Sequence, residues 1–380
     1  MSSFRSDAVN VDGAQAVLTI DLGALADNWR LLQGLVGAAD CAAVIKADAY
    51  GTGQGKAAAA LKAAGCRTFF VAQPEEGRRA RAVLGDDPAF TVYVLNGLPH
   101  EPGLPEFYRA HRLVPVLGSL PEVAFWKQAA PDLPAVLHID TGMNRLGLDP
   151  PGHAVVAAEF AAGRLGFPLA LVMSHFAESE VPENPLNARQ MAAFAEARRA
   201  FPGVPGSLAN SSGIFLSAKP FHDLVRPGYA LYGGNPTPGR PNPMQTVVRL
   251  VAPILQVREV DIGATAGYGA RWTAKRPSRL ATIGVGYADG LPRNAMGTDV
   301  KPGAETVVAG VRCPFVGRVS MDLSILDVTD APADLVVPGA PVELLGDTIG
   351  VDELGEKALT IGYEILTGLG SRYRRVYVGG

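Results

Sequence analysis

The chain has 380 residues, of which 48% are hydrophobic and 19% are charged, so it can bury a large core and disorder is excluded as its main state. Its 34 basic and 37 acidic residues give a net charge of −3, which argues against a protein that coats nucleic acid or a membrane surface. The sequence shows no run of about 18 apolar residues and no signal peptide, so we expect a cytoplasmic globular protein of two domains.

The first two thirds of the chain alternate short β-branched runs with longer Ala-rich segments. Eight buried strands are predicted, at residues 16–20, 41–46, 68–72, 91–95, 112–117, 135–140, 169–174 and 207–210. Helices are predicted between them, for example at 21–36, 74–84 and 188–201. Strands that alternate with helices pair in parallel through right-handed crossovers. Eight such units in about 230 residues favour a (β/α)8 barrel, although the count alone leaves an open sheet as an alternative.

The composition changes at residues 235–244, where four prolines among ten residues predict an interdomain linker. Beyond it, strand-like runs follow one another with short Gly/Pro turns, at residues 245–260, 279–288, 305–310, 318–328 and 341–346. This pattern predicts a mainly antiparallel β-domain. We therefore expect a barrel domain at residues 1–240, whose first strand could pair with the second domain, and a C-terminal β-domain at residues 241–380.

Functional residues of a (β/α)8 barrel lie at the C-terminal ends of its strands. Lys46 ends a predicted strand and precedes a Gly-rich loop, so it is either a surface lysine or a Schiff-base lysine whose pKa is lowered by burial. Polar residues also follow the later strands, namely Asp140, Arg145, His175, the segment ANSSG at 209–213, Arg226 and Gly228. Each has a structural explanation taken singly, but packing does not explain all of them together.

Eight segments carry a resemblance to a known family: IKADAYGTG, HIDTGMNRLG, MSHFAESE, NSSG, RPGYALYGGNP, AGYGARWTA, GYADGLPR and VGRVSMD. In this order they resemble the successive signature segments of the alanine racemases. The first resembles the attachment segment for pyridoxal 5'-phosphate. The resemblance implies an isomerase with a pyridoxal-phosphate-binding barrel, a C-terminal β-domain and a homodimer whose active sites combine residues of both chains.

The resemblance also assigns the catalytic residues. Lys46 is expected to hold the cofactor as an aldimine and to serve as the base on the D-alanine face, while Tyr268 of the partner subunit serves the L-alanine face. A free tyrosine has a pKa of about 10, so Tyr268 needs cationic neighbours, for which His175 and Arg145 match the family. Arg145 and the partner's Met321 are expected to bind the substrate carboxylate. The same reaction could supply D-alanine for the cell wall or serve alanine catabolism.

Further residues are carried over from the family as contacts of the cofactor and as entrance residues. Arg226 resembles the arginine that meets the pyridine nitrogen of the cofactor. The contacts of the cofactor and its phosphate are expected to come from Tyr50, His175, Asn210, Ser211, Gly228, Tyr229 and Tyr373. Tyr287 resembles the residue that narrows the entrance to a small side chain, and Asp322 is expected to support it. No metal is expected.

One position departs from the family pattern. Many members have a carbamylated lysine two positions before the Asp of the DTGM segment, whose charge orients the substrate-binding arginine. This chain has His138 there, which cannot form that carbamate. Arg145 must then be held in another way, by a bound anion such as chloride or by a direct hydrogen bond, and the strictness for alanine is left open.

The same residues allow alternative functions to be compared with racemisation. The nearest alternative is a broader or serine-preferring amino-acid racemase on the same fold. A fold-related decarboxylase would have no use for the second base Tyr268, and a non-catalytic pyridoxal-phosphate-binding protein would lack the β-domain. A metal-dependent aldolase would need ligand clusters that the second domain does not offer, because no histidine follows His222 and the three cysteines are widely spaced. A scaffold barrel would leave the strand-end residues unexplained.

Overall fold

The computed structural model describes residue 13, residues 15–99 and residues 101–380. The expectation that no signal peptide is present rests mainly on residues 1–12, which lie outside the described residues. The described chain forms two compact units. The barrel unit is Leu22–Gln245 together with Gly380, and the β-unit is the described segment up to Asp21 together with Thr246–Gly379. Strand β1 (Val17–Asp21) comes first in the chain but belongs to the β-unit.

The barrel unit alternates strands and helices. Its strands are β2 (Asp40–Cys41), β3 (Ala43–Val44), β4 (Thr68–Val71), β5 (Thr91–Val94), β6 (Leu113–Leu117), β7 (Ala135–His138), β8 (Leu169–Met173), β9 (Gly206–Ser207) and β10 (Leu224–Val225). Its helices are α1 (Leu22–Leu35), α2 (Lys46–Tyr50, a single left-handed turn), α3 (Gln54–Ala64), α4 (Pro74–Leu84), α5 (Leu104–Ala110), α6 (Leu120–Ala129), α7 (Pro150–Ala161) and α8 (Pro185–Arg198). Two short 3-10 helices, Ser212–Phe215 and Tyr229–Tyr232, follow the last strands.

The parallel sheet of the barrel unit closes on itself. Strands β3 to β9 pair in chain order, each parallel to the next. Strand β10 joins β9 through a hydrogen bond from the Asp223 amide to the Gly206 carbonyl (3.0 Å), and it pairs in parallel with β2. Strands β2 and β3 are separated only by Ala42, so they count as one barrel strand. The result is a ring of eight parallel strands, and all of their carboxyl ends lie at the same edge.

Three helices of the barrel unit begin where the sequence supplies a proline and a capping side chain. Ser119, Asp149 and Asn184 precede α6, α7 and α8 and accept hydrogen bonds from backbone N–H groups of the first turn. The helix predicted at 74–84 is confirmed as α4. The one predicted at 188–201 begins earlier, at Pro185, because a proline fits the first turn, where its missing N–H needs no partner.

The β-unit is built on a mainly antiparallel sheet. Its strands besides β1 are β11 (Val248–Val260), β12 (Thr265–Ala266), β13 (Trp272–Thr273), β14 (Ser278–Ile283), β15 (Glu305–Val308), β16 (Val311–Pro314), β17 (Ser324–Asp327), β18 (Pro341–Leu345) and β19 (Arg374–Val378). Helices α9 (Val351–Lys357) and α10 (Gly362–Thr367) lie between the last two strands.

The long strand β11 organises this sheet. Its first half pairs antiparallel with β1 and β18, and its second half, beyond a register shift at Ile254, pairs with β14. Strand β1 also pairs in parallel with β19, so it lies between the two. Buried and partly exposed residues alternate along the first half of β11, which is the pattern of a sheet with one face in the core. The segment 16–20, counted above among the barrel strands, is therefore a strand of the β-unit, and the eighth barrel strand is β10.

Within the described residues, no helix has the length and apolar character needed to cross a membrane. The same residues contain no group of three or more His, Cys, Asp or Glu side chains that could hold a metal ion.

Candidate active site

Lys46 lies at the carboxyl edge of the barrel in a strained backbone. It follows β3 after one residue, and the next four residues, Ala47 to Tyr50, have φ between 51° and 53°. A left-handed residue other than glycine costs about 1–2 kcal/mol, so four in succession cost about 4–8 kcal/mol. Strain of this size persists only where the surrounding structure imposes it, and it is concentrated at functional sites.

Hydrogen bonds hold this left-handed turn from both ends. The Gly51 amide donates to the Ala47 carbonyl (2.9 Å), and the Gln54 amide donates to Oδ1 of Asp48 (2.8 Å). At the start of the turn, the Ala47 amide donates to Oε1 of the buried Glu76 (2.7 Å). The lysine therefore projects from a backbone that its neighbours fix.

The charges that act on Lys46 include a second cation. Burial lowers the pKa of Lys46, the positive charge of Arg145 lowers it further, and the negative charge of Glu76 opposes both effects. A lower pKa increases the fraction of the amine that is neutral near pH 7, and only the neutral amine can attack a carbonyl or accept a proton.

His175 and Arg226 form the buried centre of the site. Arg226 is 4% exposed, and its Nη1 donates to Oγ of Ser207 (2.5 Å) while its Nη2 donates to the Ser174 carbonyl (2.6 Å). The same Nη2 lies 3.3 Å from Nδ1 of His175. Because an arginine can only donate, this contact assigns Nδ1 as an acceptor and places the proton of a neutral His175 on Nε2.

The two histidines of the site are neutral at pH 7. Burial, followed by the charges of Arg226 and Arg145, lowers the pKa of His175 well below its usual range. Burial, followed by Arg226, lowers the pKa of His138 to about 4. Burial among arginines disfavours the charged form of His175, so these shifts do not support the expectation that it acts as a cationic neighbour for a tyrosine. Arg145 remains the expected charged neighbour.

A tight cradle lies beyond the ends of β9 and β10. Oγ of Ser211 accepts hydrogen bonds from the Gly228 amide (3.1 Å) and the Ala230 amide (3.2 Å). A Cβ on Gly228 would lie 2.3 Å from the hydroxyl oxygen of Tyr50, so only glycine fits there. Tyr50 is buried, and its ring stacks on Tyr232 at 4.7 Å between centroids.

The other two residues expected in this cradle lie beside it. Tyr229 is the first residue of the 3-10 helix that follows Gly228, and it is buried. Asn210 directly precedes Ser211, and its Oδ1 accepts from the Ser179 hydroxyl (2.8 Å) and the Gly213 amide (2.8 Å). The structure therefore brings together every sequence-predicted residue of the barrel unit at one edge of one ring of strands.

Three further sequence-predicted residues form a second group, in the β-unit. The Tyr287 amide donates to the Ser320 carbonyl (3.0 Å) and the Ala288 amide donates to the Met321 carbonyl (3.0 Å), so the loops of Tyr287 and Met321 are joined. Arg372 binds Asp289 through Nε (2.6 Å) and Asp322 through Nη1 (2.7 Å), which ties Asp322 to the same loops. The side chains of Tyr287 and Met321 are 42% and 53% exposed.

Tyr268 and Tyr373 complete the β-unit residues. Tyr268 lies in the loop between β12 and β13 and is 69% exposed, which is unusual for an aromatic side chain in a structured loop. Tyr373 follows Arg372 directly and is buried, and its burial together with the charge of Asp289 raises the pKa of its hydroxyl.

Sequence reasoning missed three residues that hold the site together. Glu76 binds the turn after Lys46, and Ser207 binds both Arg226 and the Leu224 carbonyl (2.5 Å). Gln190, in α8, is fully buried, and its Nε2 donates to the His175 carbonyl (2.9 Å). Two acidic residues after Pro74 at a helix start were visible, but the helix terminus alone accounts for that pattern.

The residues of the barrel unit fit an anionic carbonyl cofactor such as pyridoxal phosphate. Lys46, Arg145 and Arg226 place three basic side chains at the edge of the ring, and the histidines among them are held neutral. In the cradle, the amides of Gly228 and Ala230 converge on the hydroxyl oxygen of Ser211 at the start of a short helix, and convergent donors of this kind suit a phosphate oxygen. A lysine with a lowered pKa suits attachment of an aldehyde.

The fold and this site define a class of protein: a barrel enzyme with a lysine amine at the strand ends and a mainly antiparallel β-unit in the same chain. Comparison with known proteins specifies the family. Residues 20–236 match the model described as "Alanine racemase, N-terminal domain", and residues 247–377 match "Alanine racemase, C-terminal domain". The chain therefore belongs to the alanine racemase family, and it is an isomerase.

Individual relatives cover nearly the whole chain. An alanine racemase of Methylobacterium nodulans is 58% identical, over 96% of this chain and 96% of that protein. A protein of Mesorhizobium japonicum named as a catabolic alanine racemase is 46% identical, over 98% of this chain and 96% of the relative. A crystal structure of alanine racemase from Bartonella henselae, described with covalently bound pyridoxal phosphate, is 39% identical with a TM-score of 0.89, and the match covers 96% of this chain and 100% of that one.

Proposed function

We propose that the protein interconverts L-alanine and D-alanine with pyridoxal 5'-phosphate attached to Lys46. The observation that carries the proposal is the placement of Lys46: a lysine with a lowered pKa, at a strand end, among Arg145, Arg226 and two neutral histidines. When bound, the cofactor supplies an aldehyde for the amine and an electron-withdrawing ring that stabilises negative charge at the α-carbon.

In this proposal Arg226 and the cradle at Gly228 hold the cofactor. Arg226 is fixed by Ser207 and Ser174, so it presents a positioned cation to the ring. Tyr50, Asn210, Ser211 and the residues after Gly228 surround the phosphate, with Tyr373 as a further contact. Met321 and Arg145 would hold the substrate carboxylate, because a carboxylate needs a cation and amide donors.

Racemisation requires a proton to leave one face of the α-carbon and another to arrive on the opposite face. Nζ of Lys46 would exchange the proton on the D-alanine face. The hydroxyl oxygen of Tyr268 would exchange it on the L-alanine face, and Arg145 would favour the negative phenolate.

We further propose that Tyr268 and Met321 act in the partner subunit of a homodimer. The exposure of Tyr268, Tyr287 and Met321 on the β-unit supports this, because side chains of this kind are otherwise mostly buried. Tyr287 and Asp322 would narrow the entrance to a side chain as small as a methyl group. Since enantiomers have equal free energies, one enzyme of this kind can serve either the supply or the breakdown of D-alanine.

The proposal is tested first on the cofactor. Purified protein is treated with borohydride, and the reduced pyridoxal phosphate adduct is located by peptide mass spectrometry; we expect it on Lys46. Lys46→Ala should lose both the adduct and the conversion of L-alanine to D-alanine. Lys56→Ala, which changes an exposed lysine of α3, is the matched control and should keep both. An adduct on another lysine would contradict the proposal.

The two-base assignment is tested by isotope exchange. In deuterium oxide, Tyr268→Phe should abolish racemisation yet retain exchange of the α-hydrogen of D-alanine, because Lys46 is still present. Equal loss of exchange from both enantiomers would contradict the separate roles of the two residues. L-serine is run beside L-alanine, and a preference for serine would replace alanine as the proposed substrate.

A further inference from the structure

Glu76 links two strand ends of the barrel through backbone amides. It lies in the first turn of α4 and is 7% exposed. Its Oε2 accepts hydrogen bonds from the amides of Ala72 (2.7 Å) and Gln73 (3.2 Å), which directly follow β4. Its Oε1 accepts from the amide of Ala47 (2.7 Å), the residue after Lys46. Both oxygens of one buried carboxylate are thus used, one for each strand end.

These hydrogen bonds restrain the backbone around Lys46. The amide of Ile45, on one side of the lysine, donates to the Phe70 carbonyl of β4 (2.8 Å), and the amide of Ala47, on the other side, donates to Glu76. The residues on both sides of Lys46 are therefore anchored to the same β4–α4 unit. The second anchor matters more, because it lies where the backbone turns left-handed and would relax without a restraint.

The barrel contains a second glutamate in the same arrangement, away from the candidate site. Glu122 lies in the first turn of α6, its Oε1 accepts from the Leu98 amide (2.9 Å) and its Oε2 accepts from the Gly118 amide (2.6 Å). It joins the loops after β5 and β6, which carry none of the candidate site residues. A purely structural role would apply equally to both glutamates, so Glu122 provides a matched internal control.

We propose that Glu76 is a positioning residue for Lys46: its carboxylate ties the peptide after the lysine to the end of β4 and thereby sets where the amine points. The inference rests on the function proposed for Lys46. The negative charge of Glu76 also raises the pKa of the Lys46 amine, and this effect opposes that of the positive charge of Arg145. It is distinct from the bases of the reaction, because its oxygens are occupied by backbone amides.

The test compares Glu76→Gln with Glu122→Gln in the full chain. A glutamine has one acceptor oxygen, so its NH2 group must face an amide donor and one of the two anchors is lost. Both variants should lose stability. Only Glu76→Gln should change the pKa of Lys46 and its rate of reaction with pyridoxal phosphate. Two measurements on this lysine test the expectation.

The first measurement needs no cofactor. The protein is stripped of pyridoxal phosphate with hydroxylamine, and Lys46 is labelled competitively with trace acetic anhydride across a pH series. The apparent pKa of Lys46 should be lower in Glu76→Gln than in the unchanged protein, since a negative charge is removed, and unchanged in Glu122→Gln. The second measurement is the rate at which pyridoxal phosphate becomes borohydride-fixed on Lys46, at a pH above the Lys46 pKa of all three proteins. It should fall about tenfold in Glu76→Gln alone, the factor expected for one hydrogen bond to a charged group.

The outcomes separate this inference from the proposed function. Equal pKa values and attachment rates in the two variants would overturn the role of Glu76. If the unchanged protein takes no pyridoxal phosphate onto Lys46, the proposed function fails, while the acylation series still decides on Glu76. Should Glu76→Gln not fold, Glu76→Asp is used: it keeps the charge but is one methylene shorter, so it cannot reach both anchors, and the attachment rate should again fall.

Discussion

We expect the barrel unit to lose stability in acid because His138 is buried in its neutral form. The residue ends β7 and is 9% exposed. Burial and the charge of Arg226 lower its pKa from 6.5 to about 4. In the unfolded chain the ring regains its ordinary pKa and binds a proton more readily, so acid favours unfolding. The contribution of His138 to stability is complete above pH 6.5 and is lost as the pH falls toward 4.

The size of the effect follows from the two pKa values. Between about pH 7.5 and pH 5, proton uptake by unfolded His138 should reduce the free energy of unfolding by about 2 kcal/mol. The full loss, reached below the folded pKa, is about 3 kcal/mol, since one pKa unit corresponds to about 1.4 kcal/mol. His138→Gln keeps a polar side chain of similar size that does not titrate. The variant should therefore lose about 2 kcal/mol less than the unchanged protein over the same pH range.

The assay is urea unfolding followed by tryptophan fluorescence. Trp29 and Trp126 are buried in the barrel unit, and a Trp272→Phe background removes the tryptophan of the β-unit. His222 also has a lowered pKa, but it contributes to both proteins and cancels in the difference. His175 is coupled to the charge of His138, and this coupling is small while folded His138 is mostly neutral, at about pH 5 and above. At pH 7.5, where proton uptake by His138 contributes little, the difference in the free energy of unfolding between the two proteins reports the effect of the substitution on packing. Parallel pH profiles of the free energy of unfolding for the unchanged protein and for His138→Gln would refute the reasoning.

Three further changes separate stability, cofactor binding and catalysis. Gly228→Ala would place a Cβ 2.3 Å from the Tyr50 hydroxyl, so the pyridoxal phosphate retained after dialysis should fall at least tenfold; unchanged retention would contradict the cradle. Gly286→Ala would place a Cβ 2.3 Å from the Met321 carbonyl, so racemisation should fall while bound cofactor, measured by absorbance, stays constant. Arg81→Met removes the donor to the Phe90, His111 and Arg112 carbonyls and should cost about 3 kcal/mol in thermal unfolding, with no change in turnover per folded molecule.

The barrel was predictable because most of its strands are runs of β-branched and aromatic residues. β4, β5, β6, β7 and β8 all fall within predicted segments. The last strand was missed because β10 has only two residues, Leu224 and Val225, which is too short to give a pattern. The segment at 16–20 took its place in the count because its apolar alternation is the same in either unit. Its partners, β11 and β19, lie more than 200 residues away, and no local signal specifies them.

The site was predictable to the extent that strand ends are visible in the sequence. Lys46, His175 and Arg226 each follow a recognisable apolar run or stand in a family segment. The charge state of His175 was not predictable, because it depends on burial and on Arg226, which lies 51 positions later and donates to its ring. Glu76 was missed for a related reason: its three amide partners belong to two different strand ends, and only the closed ring brings them within hydrogen-bond distance.

The carboxyl edge of the barrel combines backbone strain with buried titratable groups. At the amino edge, buried Arg81 donates to carbonyls that precede β5 and β6, so its charge is compensated by backbone hydrogen bonds. At the carboxyl edge the same ring holds a left-handed turn, a buried arginine and histidines that acid would charge. These features cost stability, and they lie where the proposed function requires a neutral lysine and a bound phosphate. The strain is therefore best explained as a requirement of the site, which the rest of the barrel is stable enough to impose.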